Sequence, residues 1–457
     1  MTAFEESLGI LDTPELEFRA GKRALDPVQG FALNNYKPFS TPSLEENVKV
    51  DLMVPLNYQK TNKVKEILQD LKNGWALTRY PRSRYHAFKD TYDIDLDFSS
   101  PKKYESASDV KREINHVARL RDKRLRVLVI VSSQRSEIGG FYYQVKTHSI
   151  PKQVQTQILL DSTVEKYFEP DYQRGDLLWN FSLSIFSKVG GIPWKLANRL
   201  EKVSAFVSLT TVASTMPVGI IRRKGVASVE VVNCWGEHLG RVFMDAKIEE
   251  DPVERGAWTI DQDTIKSLVE GALDNVERGA AELNKAKKED YIVFHTTDRY
   301  VPQVYDLIKS IVSSRGFQKF KILHIQARGP LSIYNPEASS PRRAWPKEGS
   351  YWYLENGRIA FLYTMGRWPY STIPGTEPYV ISPHSVSPLQ VNFVTGSEGT
   401  KLEDSDLEHI YNLTRLHYYS ADIPRIRMPL TTRIGRRAAL LAASGLTMQD
   451  FDISYLY

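Results

Sequence analysis

The chain has 457 residues, of which 42% are hydrophobic and 25% charged, enough for two or three compact domains. No run approaches the ~18 apolar residues of a membrane span, the N-terminus lacks a signal-peptide pattern, and the single cysteine, Cys234, excludes a disulfide framework or a cysteine-cluster metal site. The net charge of +5 excludes a histone-like polycation but allows a local basic groove. We therefore expect a soluble, cytoplasmic protein.

The first half of the chain alternates between helical and strand patterns. The predicted elements, in chain order, are a helix through Val64, Ile67, Leu68 and Leu71 that stops at Asn73-Gly74, a strand over 126–133, a helix over 141–149, a strand over 156–160 and a helix over 177–189. This last helix is expected to end at Gly190-Gly191. Strands that alternate with helices predict a parallel, Rossmann-like sheet.

The second half begins with several strands in succession and then alternates. The predicted elements are strands over 205–212, 217–223, 227–233 and 240–246, a helix whose apolar stripe runs from Ile265 to Val276, a strand over 291–295, a helix over 301–312, a strand over 320–325 and hairpins within 350–395 around Asn356-Gly357. Several strands in succession followed by the order α-β-α-β are typical of a ribonuclease H-like fold. The expected fold class is therefore α/β, with a Rossmann-like domain followed by a ribonuclease H-like domain.

A set of polar residues in the first half is suited to binding a phosphate. No Walker loop, GxGxxG, nucleophile elbow or HExxH is present. Tyr142 and Lys146 are four residues apart and share a helix face, Gln157 lies on the next strand with Gln153 as a rival, and Lys188 precedes the Gly-Gly pair. A hydroxyl, two ammonium groups and a carboxamide are the donors that a terminal phosphate requires. Taken alone, a Tyr–Lys pair at this spacing is also common on exposed helix faces.

This ordered set resembles the guide 5′-phosphate pocket of the MID domain of Argonaute proteins. Further similarity lies in the segments 34–39, 425–438 and 454–457, which resemble the entry segment, the late PIWI helix and the apolar C-terminus of prokaryotic Argonautes. The length leaves no room for a PAZ domain, so the resemblance is to short prokaryotic Argonautes. It implies an N-terminal segment at 1–49 that packs on PIWI, a MID domain at 50–195 and a PIWI domain at 196–457.

The resemblance also implies roles for individual residues. The guide 5′-phosphate would be bound by Tyr142, Lys146, Gln157 and Lys188, with Mg²⁺ held there by Gln157 and the main-chain carboxylate of Tyr457. Two positions that carry catalytic Asp in active PIWI domains are Thr210 and Thr297 here, and no acid or His stands within 431–438. Because two-metal cleavage requires several converging carboxylates, we expect an inactive PIWI domain. The arginines expected to contact the nucleic-acid backbone are Arg299, Arg328, Arg433, Arg436 and Arg437.

The function that the resemblance implies is guided recognition without cleavage. A 5′-phosphorylated guide, which we expect to be RNA, would pair with single-stranded DNA. The complex would then activate an APAZ-containing effector subunit with a sirtuin-like or TIR NAD-consuming domain, in a heterodimer or larger assembly of a prokaryotic immune system. An active guide-directed endonuclease using Asp298 with Glu249, Glu250 or another acidic residue is the alternative, and a metabolite-binding α/β protein is a third possibility.

Overall fold

The computed structural model describes residues 9–42, 47–76, 84–133, 140–169, 172–213, 223–254, 256–283, 290–327, 346–364, 387–416, 418, 428–448 and 451–456. The strands are β1 Gly9–Ile10, β2 Leu16–Glu17, β3 Arg23–Ala24, β4 Val48–Pro55, β5 Leu96–Phe98, β6 Lys102–Tyr104, β7 Arg126–Ser132, β8 Gln155–Leu160, β9 Lys195–Leu196, β10 Val203–Ala213, β11 Arg223–Asn233, β12 His238–Glu250, β13 Ala257–Ile260, β14 Tyr291–Thr296, β15 Arg299–Tyr300, β16 Phe320–Gln326, β17 Ser350–Leu354, β18 Ile359–Leu362 and β19 Leu389–Gly396. The α-helices are α1 Thr61–Asn73, α2 Phe88–Tyr92, α3 Ala107–Val117, α4 Phe141–Ser149, α5 Asp161–Tyr167, α6 Tyr172–Lys188, α7 Gln262–Leu283, α8 Pro302–Ser314, α9 Asp404–Leu413 and α10 Leu430–Ala443.

The chain divides into two compact units. The large-sheet unit comprises Met1–Pro14, Asn198–Leu416 and Ile423–Ala443, and the small-sheet unit comprises Glu15–Ala197, His417–Asp422 and Ser444–Tyr457. The division places residues 15–49 and 444–457 with the segment that the sequence assigned to MID. The reason is local contact. Strand β2 pairs with β9 in a three-stranded antiparallel sheet, and Ser454 and Tyr455 accept hydrogen bonds from Gln155 and Lys146.

The small-sheet unit is built on a parallel sheet in the order β5-β4-β7-β8, with β6 also paired to β4. Its central strand β7 reads RVLVIVS and is buried from its second residue on, as is typical of parallel strands covered on both faces. On one face Leu128 and Ile130 pack against α3 and α4. These elements confirm the predicted Rossmann-like fold.

The large-sheet unit contains an eleven-stranded sheet in the order β1-β17-β18-β19-β16-β14-β10-β11-β12-β13-β15. Strands β10, β11 and β12 form an antiparallel meander, whereas β14 and β16 add parallel to the other side of β10. On one face of the central strand, Val207 and Leu209 join the apolar core formed with α7 and α8. The opposite face carries Ser208 and Thr210, both buried. This arrangement confirms the predicted ribonuclease H-like fold.

The predicted elements agree with the structure in most places. Helix α1 ends at Asn73, where Gly74 adopts a positive φ of 87° that a residue with a side chain rarely takes up. Helix α6 extends five residues further toward the N-terminus than predicted. The predicted strand over 217–223 falls outside the described residues except for Arg223, which begins β11.

Candidate nucleic-acid-binding sites

Helix α4 positions Tyr142 and Lys146 in the small-sheet unit. Phe141 and Val145 on its apolar face pack into the core with α3, which fixes the helix against the sheet. Tyr142 is half-buried, and the Nζ atom of Lys146 lies 6.0 Å from the centre of its ring. The two side chains therefore lie together on one face of the helix.

The ammonium group of Lys146 is buried rather than exposed on a helix surface. The residue is 2% exposed, and its Nζ donates hydrogen bonds to the carbonyl oxygens of Thr156 at 2.8 Å and Tyr455 at 3.1 Å. Burial of a charged group is costly unless other groups compensate the charge. The residue is thus fixed between β8 and the C-terminal segment, unlike an ordinary surface lysine.

Strand β8 and helix α6 bring Gln157 and Lys188 together through Ser184. The Ser184 hydroxyl donates to Oε1 of Gln157 at 2.6 Å and accepts a hydrogen bond from Nζ of Lys188 at 2.9 Å. Lys188 is also 2% exposed, and it lies one helical turn after Ser184 at the end of α6. Because Thr156 and Gln157 are adjacent on β8, one strand connects the two buried lysines.

Sequence reasoning missed Ser184 and Gln155 as parts of this site. Gln155 is 5% exposed, and its Nε2 donates to Oγ of Ser454 at 3.0 Å. Its Oε1 is buried and finds no hydrogen-bond partner in the described part of the chain. The signal was present in the sequence, since Gln155 and Gln157 share a strand face. The rival Gln153 is exposed and ends a short helical turn with φ 55°.

This lysine–glutamine site is the cluster of Tyr142, Lys146, Gln155, Gln157, Ser184 and Lys188. It combines two buried ammonium groups with neutral amide and hydroxyl groups. Charge-assisted hydrogen bonds to a phosphate are short and strong, and a phosphate monoester carries about −1.5 to −2 charge near pH 7. The site is therefore chemically suited to a terminal phosphate.

The second candidate site lies at the carboxyl end of β10 in the large-sheet unit. Thr210 is 1% exposed, and helix α10 approaches β10 closely. A Cβ atom at Gly435 would lie 2.4 Å from Oγ of Ser208 and 3.2 Å from Oγ1 of Thr210. Thr210 is thus enclosed between the strand and the helix.

Asp298 is held by hydrogen bonds from the neighbouring strand. Its Oδ2 accepts from the Thr211 amide at 3.1 Å and from the Thr211 hydroxyl at 2.8 Å, while Oγ1 of Thr297 lies 3.3 Å away. The partner on β10 is therefore Thr211 rather than Thr210. Across the residues that the structure describes, no group of three or more His, Cys, Asp or Glu side chains is placed to hold a metal ion.

The predicted backbone-binding arginines differ in their surroundings. Arg299 is exposed and forms an ion pair with Glu254. On α10, Arg436 is exposed, whereas Arg433 and Arg437 are half-buried. Arg328 and Tyr457 lie outside the described residues.

Comparison with known proteins identifies the fold. No protein-family profile and no curated sequence matches the chain. Solved structures do match. Clostridium butyricum Argonaute bound to a guide DNA and a 19-mer target DNA has a TM-score of 0.66 and 19% sequence identity, and A. aeolicus Argonaute has a TM-score of 0.61 and 18% identity. Marinitoga piezophila Argonaute in complex with a 5′ OH guide RNA has a TM-score of 0.61 and 11% identity.

These alignments cover 97%, 99% and 98% of this chain but 54%, 56% and 59% of the respective Argonautes. The chain therefore spans little more than half the length of the proteins it resembles. At this identity the similarity establishes an Argonaute-like fold, in which a Rossmann-like and a ribonuclease H-like part occur together. Among the described helices, none has the length and apolar character needed to span a bilayer.

Proposed function

We propose that this protein is a guide-binding recognition subunit that holds a 5′-phosphorylated guide in the lysine–glutamine site. The observation that carries the proposal is the burial of two lysine ammonium groups, Lys146 and Lys188, beside the same strand. A bound phosphate dianion would offset the cost of burying them. The folds that the chain resembles include one solved with guide and target DNA and another with guide RNA.

In this proposal the guide is RNA and the target is single-stranded DNA. Arginines contact the sugar–phosphate backbone, which supplies affinity without sequence information, and base pairing with the guide supplies the sequence. Arg436 on α10 is exposed and would supply such contacts, whereas Arg299 on β15 is exposed but paired with Glu254. Arg433 and Arg437 would contribute from the same helix as Arg436.

The proposal includes Mg²⁺ at the guide phosphate. Mg²⁺ prefers hard oxygen ligands, which it takes from the protein together with phosphate and water. Two amide oxygens could serve as ligands of this kind. They are the buried Oε1 of Gln155, which has no hydrogen-bond partner among the described residues, and Oε1 of Gln157. The residues present therefore fit the ion, which would add further positive charge beside the phosphate oxygens. The carboxylate of Tyr457 remains part of the proposal.

We further propose that the protein recognises its target without cutting it. Threonines occupy both expected Asp positions, and Oδ2 of Asp298 accepts hydrogen bonds from the amide and the hydroxyl of Thr211. The close approach of Gly435 to Thr210 supports this reading, because it limits the space beside the strand. The alternative, an active endonuclease using Asp298 with Glu249 or Glu250, predicts a cleaved target in the presence of Mg²⁺ or Mn²⁺.

In this proposal, the enzymatic activity that follows target recognition belongs to a separate subunit. The proposed partner carries an APAZ segment and a sirtuin-like or TIR NAD-consuming domain, and this part of the proposal rests on the sequence resemblance alone. A guide–target duplex can switch such a partner only if it binds the active and resting states with different affinity. NAD consumption by the co-expressed pair should therefore require both guide and matched target.

The decisive experiment compares guides that differ only at the 5′ end. Fluorescence anisotropy should show tighter binding of a 5′-phosphorylated RNA than of the same RNA with a 5′-hydroxyl, followed by capture of complementary single-stranded DNA. Equal affinity for the two guides would refute the phosphate site. Target cleavage above a no-guide control would favour the endonuclease alternative.

A further inference from the structure

The large-sheet unit contains a polar cleft whose floor the proposed function does not use. Its volume is about 490 Å³, within the range of about 300–1,000 Å³ typical of small-molecule sites. It is lined by residues of β15, β16, β19 and the first turns of α8. His324 and Gln326 place it at the carboxyl-terminal part of the parallel strand β16, the end at which open α/β sheets usually bind ligands.

The floor of this cleft is a ladder of amide side chains. Gln326 stands opposite Gln390, and His324 stands opposite Asn392, so all four project from one face of the β16–β19 pair. Nε2 of Gln390 donates to Oδ1 of Asn392 at 2.9 Å, and Nδ2 of Asn392 lies 3.4 Å from Nδ1 of His324. Hydrogen bonds within the ladder therefore hold Gln390, Asn392 and His324 together.

Within the described residues, the hydrogen bonds of this ladder use neither the carboxamide of Gln326 nor Oε1 of Gln390. A carboxamide presents a donor and an acceptor side by side, the arrangement that pairs bidentately with the edge of a nucleobase. His324 is 5% exposed, and burial lowers its pKa, so the imidazole is neutral near pH 7. The floor of the cleft is consequently polar but uncharged.

Charges at the rim oppose an anionic ligand. Arg299 is paired with Glu254, and the exposed carboxylate of Asp306 adds a further negative charge. A phosphate would meet two carboxylates for one guanidinium here. The exposed guanidinium of Arg299 nevertheless offers a flat surface on which a base can stack.

We propose that this amide cleft binds a nucleobase, unstacked from a strand or supplied as a free nucleoside. The ladder supplies hydrogen bonds to the edge of the base, and Arg299 supplies the stacking surface. The strand-bound form of the proposal rests on the proposed nucleic-acid-binding function. The nucleoside form stands on the chemistry of the cleft alone.

The test uses the full chain and the variant Gln326→Leu, which breaks no hydrogen bond seen among the described residues. Gln303→Leu is the matched control, because Gln303 is exposed on α8 and does not line the cleft. If Gln326→Leu fails to fold, Gln390→Leu takes its place. One arm titrates the four nucleosides by saturation-transfer NMR. The other loads a 5′-phosphorylated guide and measures target affinity with an abasic site moved along both strands.

If the cleft binds a base from a strand, an abasic site at one position should weaken target binding about tenfold in the parent protein and in Gln303→Leu, as expected for one lost bidentate contact. The same abasic site should not weaken target binding in Gln326→Leu. A nucleoside ligand predicts saturable binding of at least one nucleoside that Gln326→Leu abolishes. Absence of both effects would overturn the amide cleft as a base site. Failure of guide loading with intact nucleoside binding would instead refute the proposed function alone.

Discussion

Replacing Lys188 with methionine is expected to remove much of the preference for a 5′-phosphorylated guide. Methionine keeps the unbranched stem in its buried position and removes the ammonium group that lies 2.9 Å from Oγ of Ser184. A hydrogen bond to a charged group contributes about 1.5–3 kcal/mol, which corresponds to about 10- to 150-fold in affinity. The ratio of the Kd values for 5′-hydroxyl and 5′-phosphate guides should shrink by that factor.

Lys146→Met should have the same effect on the guide ratio and an additional effect on stability. Its ammonium donates to the carbonyl oxygens of Thr156 and Tyr455, and leaving a buried acceptor unsatisfied costs about 1–3 kcal/mol. The thermal midpoint of Lys146→Met should therefore fall below that of Lys188→Met.

Both variants are measured by anisotropy with one guide sequence carrying either 5′ end. Lys166→Met is the matched control, since Lys166 is exposed on α5, outside the lysine–glutamine site, and should leave the ratio unchanged. An unchanged ratio in folded Lys146→Met and Lys188→Met would refute the reasoning. An equal loss of affinity for both guides would do the same, because the lysines would then contribute only general charge.

Three further predictions concern the large-sheet unit. Gly435→Ala should destabilise the protein by about 1–3 kcal/mol through overpacking against Ser208, and adding Ser208→Ala should restore part of the loss in thermal melts. Arg241→Met should lower the free energy of unfolding by about 3–5 kcal/mol, because Glu230, at 0% exposure, loses its buried guanidinium partner. An unfolding midpoint close to that of the parent protein would contradict this prediction. Burial lowers the pKa of His409 to about 4, so the unfolded state binds more protons, and stability should fall as the pH drops from about 6.5 toward 4. His409→Leu should flatten this slope, and identical pH profiles for variant and parent would exclude His409 as its source.

The sequence alone determined most of the secondary structure and the fold class. Strand β7 could be recognised because a parallel strand covered on both faces reads as an unbroken apolar run, and α7 because its apolar side chains recur at helical spacing. Helix ends followed from glycine, as at Gly74, where a positive φ excludes most other residues. These patterns depend only on residues that are close together in the sequence, so a single sequence is enough to recognise them.

The spacing of Tyr142 and Lys146 was also a local signal, but the sequence could not distinguish an exposed pair from a buried one. Only the tertiary structure decided this, because the acceptor of the Lys146 proton on Tyr455 lies 309 positions away along the chain. The same holds for Ser184, an ordinary helix residue until β8 brings Gln157 within hydrogen-bond distance.

At the ribonuclease H-like site, too, the sequence predicted some features and only the tertiary structure decided others. In the sequence, the resemblance to Argonautes assigns Thr210 and Thr297 to the positions where carboxylates are expected. The pairing of Asp298 with Thr211, the close approach of Gly435 and the amide ladder of the cleft depend on the register of neighbouring strands. A shift of one residue in that register would turn every side chain to the opposite face, so these contacts follow only from the folded sheet.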